Sequence, residues 1–167
     1  AEAIGVYSPG ADSGTFDYFV EDILAPHFKN AEGKADKDAG GAALLGLEGA
    51  QFSEDDNVLV QGVVGSKYAI GYFGYAYYAE NADTLKALSV EGVAPSQESV
   101  DQATYPLARP LFIYTTAKIM QEKPQVAAFI YFYLSNVNDN IVDVGYFPAP
   151  EADLNASMEA WKSATGN

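Results

Sequence analysis

The sequence predicts an α/β fold, and three observations carry that prediction. Short runs rich in β-formers recur along the chain at Ile4–Tyr7, Tyr68–Phe73, Leu85–Val90 and Leu111–Thr116. Between them, apolar residues repeat at three- and four-residue spacing, the mark of a helix with one buried face. The two kinds of segment alternate along the chain, which is the order of an α/β protein. A chain of 167 residues, 49% of them hydrophobic, can also bury a substantial core. It contains no repeat of fixed period and no low-complexity tract.

The elements follow in order. Ile4–Tyr7 reads as a strand that feeds the turn-forming run Ser8-Pro9-Gly10-Ala11-Asp12-Ser13-Gly14. Phe16, Phe19, Val20, Ile23 and Leu24 then place one apolar stripe on a helix reaching about Ala25, before Pro26. Asn30–Gln51 is rich in Gly, Ala, Lys and Asp with little periodicity, and a mobile surface excursion is expected there. Ser53 has the chemistry of an N-cap, with Glu54, Asp55 and Asp56 as an acidic first turn and Leu59, Val60, Val63 and Val64 as the buried face of a helix ending near Gly65. Tyr68–Phe73 is a buried strand with Gly71 where a second backbone passes closely. A short helix from Ala76 to Ala82, a strand from Leu85 to Val90 and a short helix capped by Ser96 come next. Tyr105–Pro110 is extended, because each proline biases its predecessor away from the helical region. Leu111–Thr116 is a strand, Pro124–Val137 a well-buried helix with Pro124 in its first turn, and Leu154, Met158 and Trp161 mark one face of a terminal helix.

Composition removes several functional classes. Cysteine is absent, so disulfides, thiolate metal sites and cysteine nucleophiles are excluded. The single histidine, His27, cannot build a multi-histidine metal site and reads as a surface or capping residue, so no metal site and no cofactor are expected. The net charge is −14, with eight lysines and one arginine, Arg109. Nucleic acid and anionic membrane are therefore not partners, and the acidity reads as solubility. The aromatic cluster Tyr72, Phe73, Tyr75, Tyr77 and Tyr78 has no basic residues interleaved and reads as packing, not as a base-stacking platform. No apolar run is long enough to cross a membrane, and Ala1-Glu2-Ala3-Ile4 lacks a basic start and an apolar signal core, so a mature, processed or truncated chain is expected. Asn155-Ala156-Ser157 matches a glycosylation sequon, a short and common pattern.

The informative motif is Asp12-Ser13-Gly14-Thr15. A helix N-terminus offers unpaired backbone N–H groups and positive dipole potential, and Gly14 lets an anion approach the main chain. Ser13 and Thr15 add hydroxyl donors, so a tetrahedral oxyanion such as phosphate can be held without covalent chemistry. Asp12 is the discriminating residue: a carboxylate accepts a hydrogen bond from protonated phosphate but faces sulfate, unprotonated at neutral pH, with like-charge repulsion. The alternative is that Ser13 or Asp12 simply caps the helix. No nucleophile–base pair is visible, so the chain is expected to be a ligand carrier and not an enzyme.

Ser8–Phe19 resembles the phosphate-loop segment of phosphate-binding proteins of the PstS type, above all the cyanobacterial-like branch. Ser53–Val63, Ile70–Tyr78 and Tyr105–Tyr114 are similar to the same family in wording and order. The resemblance implies a periplasmic-binding-protein fold of type II, in which α/β lobes close on phosphate and present it to a membrane ABC permease. Residues 1–105 would then form the phosphate-loop lobe, and residues 106–167 the crossing segment and the carboxy-terminal part of the second lobe. Ser13, Gly14 and Thr15 match the family's anion-binding triplet, and Asp12 matches the motif as this branch writes it. The implied location is the periplasm or the extracellular cell surface. Two departures stand out: the family's amino-terminal half, which supplies further anion donors, has no counterpart here, and the arginine common before the Ser-Glu-Asp-Asp-Asn helix is replaced by Leu45-Gly46-Leu47-Glu48-Gly49-Ala50. Two functions stay open. One is a phosphate receptor completed by an amino-terminal segment or partner chain; the other is a structural or interaction protein, or an engineered lobe fragment, that keeps the fold without tight phosphate binding.

Overall fold

The computed structural model describes residues 2–166; Ala1, the first residue of the stretch read for a leader, lies outside them. The chain divides into two compact units, Ala1–Ala87 and Leu88–Asn167.

The first unit is built on a three-stranded parallel sheet in the order β2-β1-β3. β1 (Gly5–Pro9) lies in the middle, with Tyr7 facing Gln51 of β2 (Gln51–Ser53) on one side and Gly71 of β3 (Ala69–Gly71) on the other. Parallel neighbours require crossovers. The first runs through α1 (Gly14–Tyr18), a wider π turn (Phe19–Leu24), a 3-10 turn (Ala25–His27) and α2 (Lys37–Leu45). The second is α3 (Asp56–Val64), and α4 (Tyr75–Ala79) follows β3. Phe16, Val20 and Leu44 form the buried cluster, with Phe19, Leu24, Phe52 and Tyr72 packed against it. Leu59 and Val60 bury the face of α3 as its spacing predicts, while Val64, read as part of that face, is exposed at the helix end.

Three expectations in this unit are corrected. The stretch read as a mobile excursion contains α2 and β2. Asp36 caps α2 by accepting from the Ala39 N–H at 2.9 Å. A Cβ at Gly40 would stand 3.2 Å from the Ala25 backbone nitrogen and 3.3 Å from Leu24 Cβ, so the glycine content that read as looseness is close packing of a helix. Upstream, Asn30 Oδ1 accepts from the Glu32 and Lys34 amides and folds a tight turn with Gly33 at φ +74°. The helix after β2 is capped by Asp55, which accepts from Asn57 N–H at 2.9 Å, and Ser53 instead ends β2 and accepts from Asp55 N–H. Leu85–Val90 forms no strand; Val90 only bridges Val93. Gly71 behaves as expected, since a Cβ there would lie 2.8 Å from Val63 Cγ2 and 3.1 Å from the Tyr7 carbonyl oxygen.

The second unit is helical among the described residues: α5 (Gln97–Asp101), α6 (Ala117–Glu122), α7 (Pro124–Asn140) and α8 (Glu151–Thr165). Ser96 caps α5 as the sequence indicates, in a reciprocal box with Ser99. Pro124 stands in the first turn of α7, where its missing N–H costs nothing. Trp161 of α8 donates from Nε1 to the Ala127 carbonyl at 2.9 Å and its ring meets Tyr131 at 5.0 Å, which ties α8 to α7. Leu111–Thr116 forms no strand, a correction to the sequence reading, and Thr116 instead caps the unforeseen α6 by accepting from Ile119 N–H.

Candidate functional site

In parallel α/β sheets the crevice at the carboxyl ends of the strands is where ligands bind. Here those ends are Pro9 of central β1 and Ser53 of β2, side by side in register. The loop from Gly10 to Ser13 leaves β1 at this edge. Gly10 N–H donates to the Ser53 carbonyl at 3.0 Å, and Ser13 N–H donates to the Gly10 carbonyl at 3.0 Å, so the loop is a hydrogen-bonded turn fixed to both strands.

Ser13 is the N-cap of α1: its backbone is extended (φ −89°, ψ 131°) and its Oγ accepts from Thr15 N–H at 3.1 Å. The first helical bond runs from Asp17 N–H to the Ser13 carbonyl at 3.1 Å, so the amides of Gly14 and Phe16 precede the intrahelical ladder. Ser13, Gly14 and Thr15 are therefore brought together at one helix start, with Ser13 and Thr15 half-buried and Gly14 exposed. Asp12 is exposed, and what holds it is its backbone N–H, which donates to Glu54 Oε1 at 3.3 Å. The Glu54 carboxylate lies against Gly10, where a Cβ would displace it. Glu54 is a residue that sequence reasoning took only as part of an acidic first turn. Seeing its place requires knowing that Gln51–Ser53 pairs parallel to β1.

Beneath the loop, Ser8 is fully buried; its hydroxyl donates to the Pro9 carbonyl at 2.9 Å and lies 2.8 Å from the Tyr72 hydroxyl. Tyr72 follows β3 and stacks on Phe19 at 4.2 Å and 20°. Burial pushes its phenol above the usual value, partly offset by the Ser8 hydrogen bond. Tyr72 of the aromatic cluster thus serves packing here, and it ties the end of β3 to β1 through Ser8 and to Phe19 through its ring.

The surroundings of the loop are acidic. Burial, and secondarily the charge of Asp55, raise the Asp56 carboxyl. Lys37 bridges Asp17 at 3.3 Å and Glu21, and these partners raise its own ammonium value, the Glu21 hydrogen bond foremost. Arg109 belongs to the second unit, so the first carries lysines as its only fixed cations. His27 sits exposed at the end of the 3-10 turn. An open groove of about 540 Å³ in the second unit, lined by Met120, Ala127, Tyr131 and Trp161 among others, involves none of the expected site residues.

A parallel sheet with helical crossovers and a built turn at its carboxyl edge defines the class: an α/β unit of the kind that makes up binding-protein folds. Comparison with known proteins places it further. Residues 1–137 match the model of the PBP superfamily domain, and the chain belongs to that family. Among curated proteins it is 44% identical over 159 residues to Protein SphX of Synechocystis and 41% identical over 165 residues to Protein SphX of Synechococcus elongatus. It is 30% identical over 158 residues to the phosphate-binding protein PstS of Staphylococcus saprophyticus. These matches take in 92%, 95% and 92% of this chain but only 43%, 43% and 44% of the relatives, so the chain spans less than half their length. The crystal structure of PstS from Borrelia burgdorferi is similar in fold, with TM-score 0.55 and 22% identity over 86% of this chain and 52% of that one. The resemblance to PstS-type proteins and the α/β binding-protein fold read from the sequence are both borne out. No helix among the described residues is long and apolar enough to cross a membrane.

Proposed function

We propose that this chain is the carboxy-terminal portion of an extracytoplasmic solute receptor that holds inorganic phosphate and presents it to a membrane ABC permease, in the periplasm or at the cell surface. The observation that carries the reading is the Ser13-Gly14-Thr15 turn at the carboxyl edge of the central strand. It gathers first-turn amides and two hydroxyls at one point, in a chain whose relatives include proteins named for phosphate binding. Ser13 has one hydroxyl proton to give and two acceptor sites, so it caps Thr15 and donates to an anion at once. Asp12 stands beside the turn as the group that favours protonated phosphate over sulfate. In this reading residues 1–105 form the phosphate-loop lobe and residues 106–167 return to the second. The remaining donors come from an amino-terminal segment, linked or separate, and the chain acts by binding alone.

A second reading, an interaction protein that keeps the fold without tight phosphate binding, is favoured by one observation. The turn carries the exposed Asp12 and is contacted by the Glu54 carboxylate, with no arginine in its unit. A thermal-unfolding titration with phosphate, sulfate as control, separates the two. A receptor gains stability with ligand excess, about 2.7 kcal/mol at 100 times Kd, and Thr15→Ala reduces the gain. A midpoint unmoved by phosphate removes autonomous binding and leaves the second reading or the need for the missing segment.

A further inference from the structure

The turn from Gly10 to Ser13 already holds a negative group of its own. The Glu54 carboxylate accepts from the Asp12 backbone N–H at 3.3 Å, as a bound anion accepts from such an amide. Among the described residues Glu54 forms no ion pair, and Lys37, which does pair in the same unit, is engaged by Asp17 and Glu21. An exposed, uncompensated carboxylate thus sits on the turn that the phosphate reading assigns to an anion.

Gly10 shows that room is kept for this carboxylate. A Cβ there would stand 2.5 Å from Glu54 Cδ, too close for both to remain. Gly10 is not one of the glycines with positive φ, so its backbone conformation does not call for glycine, whereas the space that Glu54 takes does. The contact is also held from both sides. Gly10 N–H is bonded to the Ser53 carbonyl and Gly10 carbonyl to Ser13 N–H, while Asp55, next after Glu54, is fixed as the cap of α3. Asp12 and Gly14 are two residues apart, so their amides are separated by no more than about 7 Å. The carboxylate, at 3.3 Å from the Asp12 nitrogen, therefore lies within roughly 10 Å of the first-turn amides, about one Debye length at 0.1 M salt.

We propose that Glu54 is a resident anion of this turn: it ties down the Asp12 amide and, by its charge, lowers the affinity of the turn for phosphate. The inference rests on the phosphate reading and adds to it a residue that limits binding. Its two actions come apart by substitution. Glutamine keeps an oxygen acceptor of the same reach and loses the charge, whereas alanine loses both. With water-like screening, a doubly charged anion about 10 Å from a fixed unit charge binds about fourfold more weakly, and the factor grows at shorter range. The effect acts through charge alone, so added salt removes it.

The test titrates the thermal midpoint of the full chain with inorganic phosphate, unsubstituted, as Glu54→Gln and as Glu54→Ala, in low salt and in about 0.5 M sodium chloride. Hydrogen exchange of the Asp12 amide is followed in parallel without phosphate. Glu54→Gln should lower the phosphate Kd about fourfold or more in low salt, lose most of that gain in high salt, and leave the Asp12 amide protected. Glu54→Ala should speed exchange at Asp12. A Kd unchanged or raised by Glu54→Gln, or a gain that salt does not diminish, overturns the proposal, and so does an Asp12 amide whose exchange Glu54→Ala leaves as it was. A midpoint that phosphate moves in Glu54→Gln but not in the unsubstituted chain supports it. If phosphate moves the midpoint of none of the three proteins, the phosphate reading itself falls and the proposal falls with it, an outcome told apart from the others because the unsubstituted chain and both variants are then equally silent.

Discussion

Ser13 is asked to do two things, and two substitutions pull them apart. As N-cap it accepts from Thr15 N–H at 3.1 Å; replacing such a cap by alanine costs about 1 kcal/mol, whereas glycine costs only a few tenths because it keeps the extended N-cap backbone accessible. In a domain of the size of Ala1–Ala87, 1 kcal/mol corresponds to roughly 4–8 °C in Tm. Without ligand, Ser13→Ala should therefore lower the midpoint by that amount and Ser13→Gly by about a quarter of it. The ligand role depends on the hydroxyl alone, which both variants lose. A hydrogen bond to a charged group contributes about 1.5–3 kcal/mol, so both should raise the phosphate Kd by a factor of about ten or more. The assay is a phosphate titration of the thermal midpoint for the three proteins, in low salt and with sulfate in parallel. Glycine at 13 is the decisive variant: near-native in its ligand-free midpoint, it should be as impaired in binding as alanine. If Ser13→Gly binds phosphate as the unsubstituted chain does, the hydroxyl does not hold the anion. If Ser13→Ala melts at the unsubstituted midpoint, the cap does not stabilise α1.

Two further perturbations test the frame around the turn. The Asp56 carboxyl is raised, so the native state binds its proton more tightly than the unfolded chain. Stability from this group is full below the ordinary carboxylate value and falls as pH rises through the raised one. Asp56→Asn should accordingly gain stability relative to the unsubstituted chain between about pH 3.5 and 7, read by urea unfolding at the two ends, and a difference independent of pH would contradict the burial argument. Gly40→Val forces a branched side chain against the Ala25 backbone and Leu24, and overpacking of this kind costs about 1–3 kcal/mol. A midpoint in urea unchanged by that substitution would mean that α2 is not packed on the turn at Ala25.

What could be read from the sequence was what is decided within a few residues. Leu59 and Val60 of the stripe Leu59, Val60, Val63 and Val64, the Ser96 cap, Pro124 in a first turn and the turn from Gly10 to Ser13 all depend on neighbours three or four positions away and lie where their patterns place them, whereas Val64 at the helix end is exposed. Gly71 was readable for the same reason, since only a close backbone explains a glycine inside an apolar strand. The failures are long-range. Gln51–Ser53 is three residues with no β-signal of its own, and it becomes a strand because central β1 offers it an edge. Gly40 and Gly41 looked like a loop because nothing local says that Leu24 and Ala25 lie against them. Glu54 read as a helix-start acid because its proximity to Asp12 exists only after β2 and β1 are paired.

Leu111–Thr116 is the same lesson in reverse. Its local code for a strand is stronger than that of β2 or β3, yet it forms none, while three-residue β2 does. Propensity in a strand measures fit to a pleated, half-buried surface more than any preference of the isolated backbone, so a strand is realised only where an edge is present to receive it. The first unit contains its own receiving edge on either side of β1. The second contains the strand-forming sequence, but among the described residues no strand for it to pair with. The turn from Gly10 to Ser13 is formed because the Ser53 carbonyl and Glu54 are there to fix it, whereas Leu111–Thr116 has no neighbouring strand among the described residues to pair with.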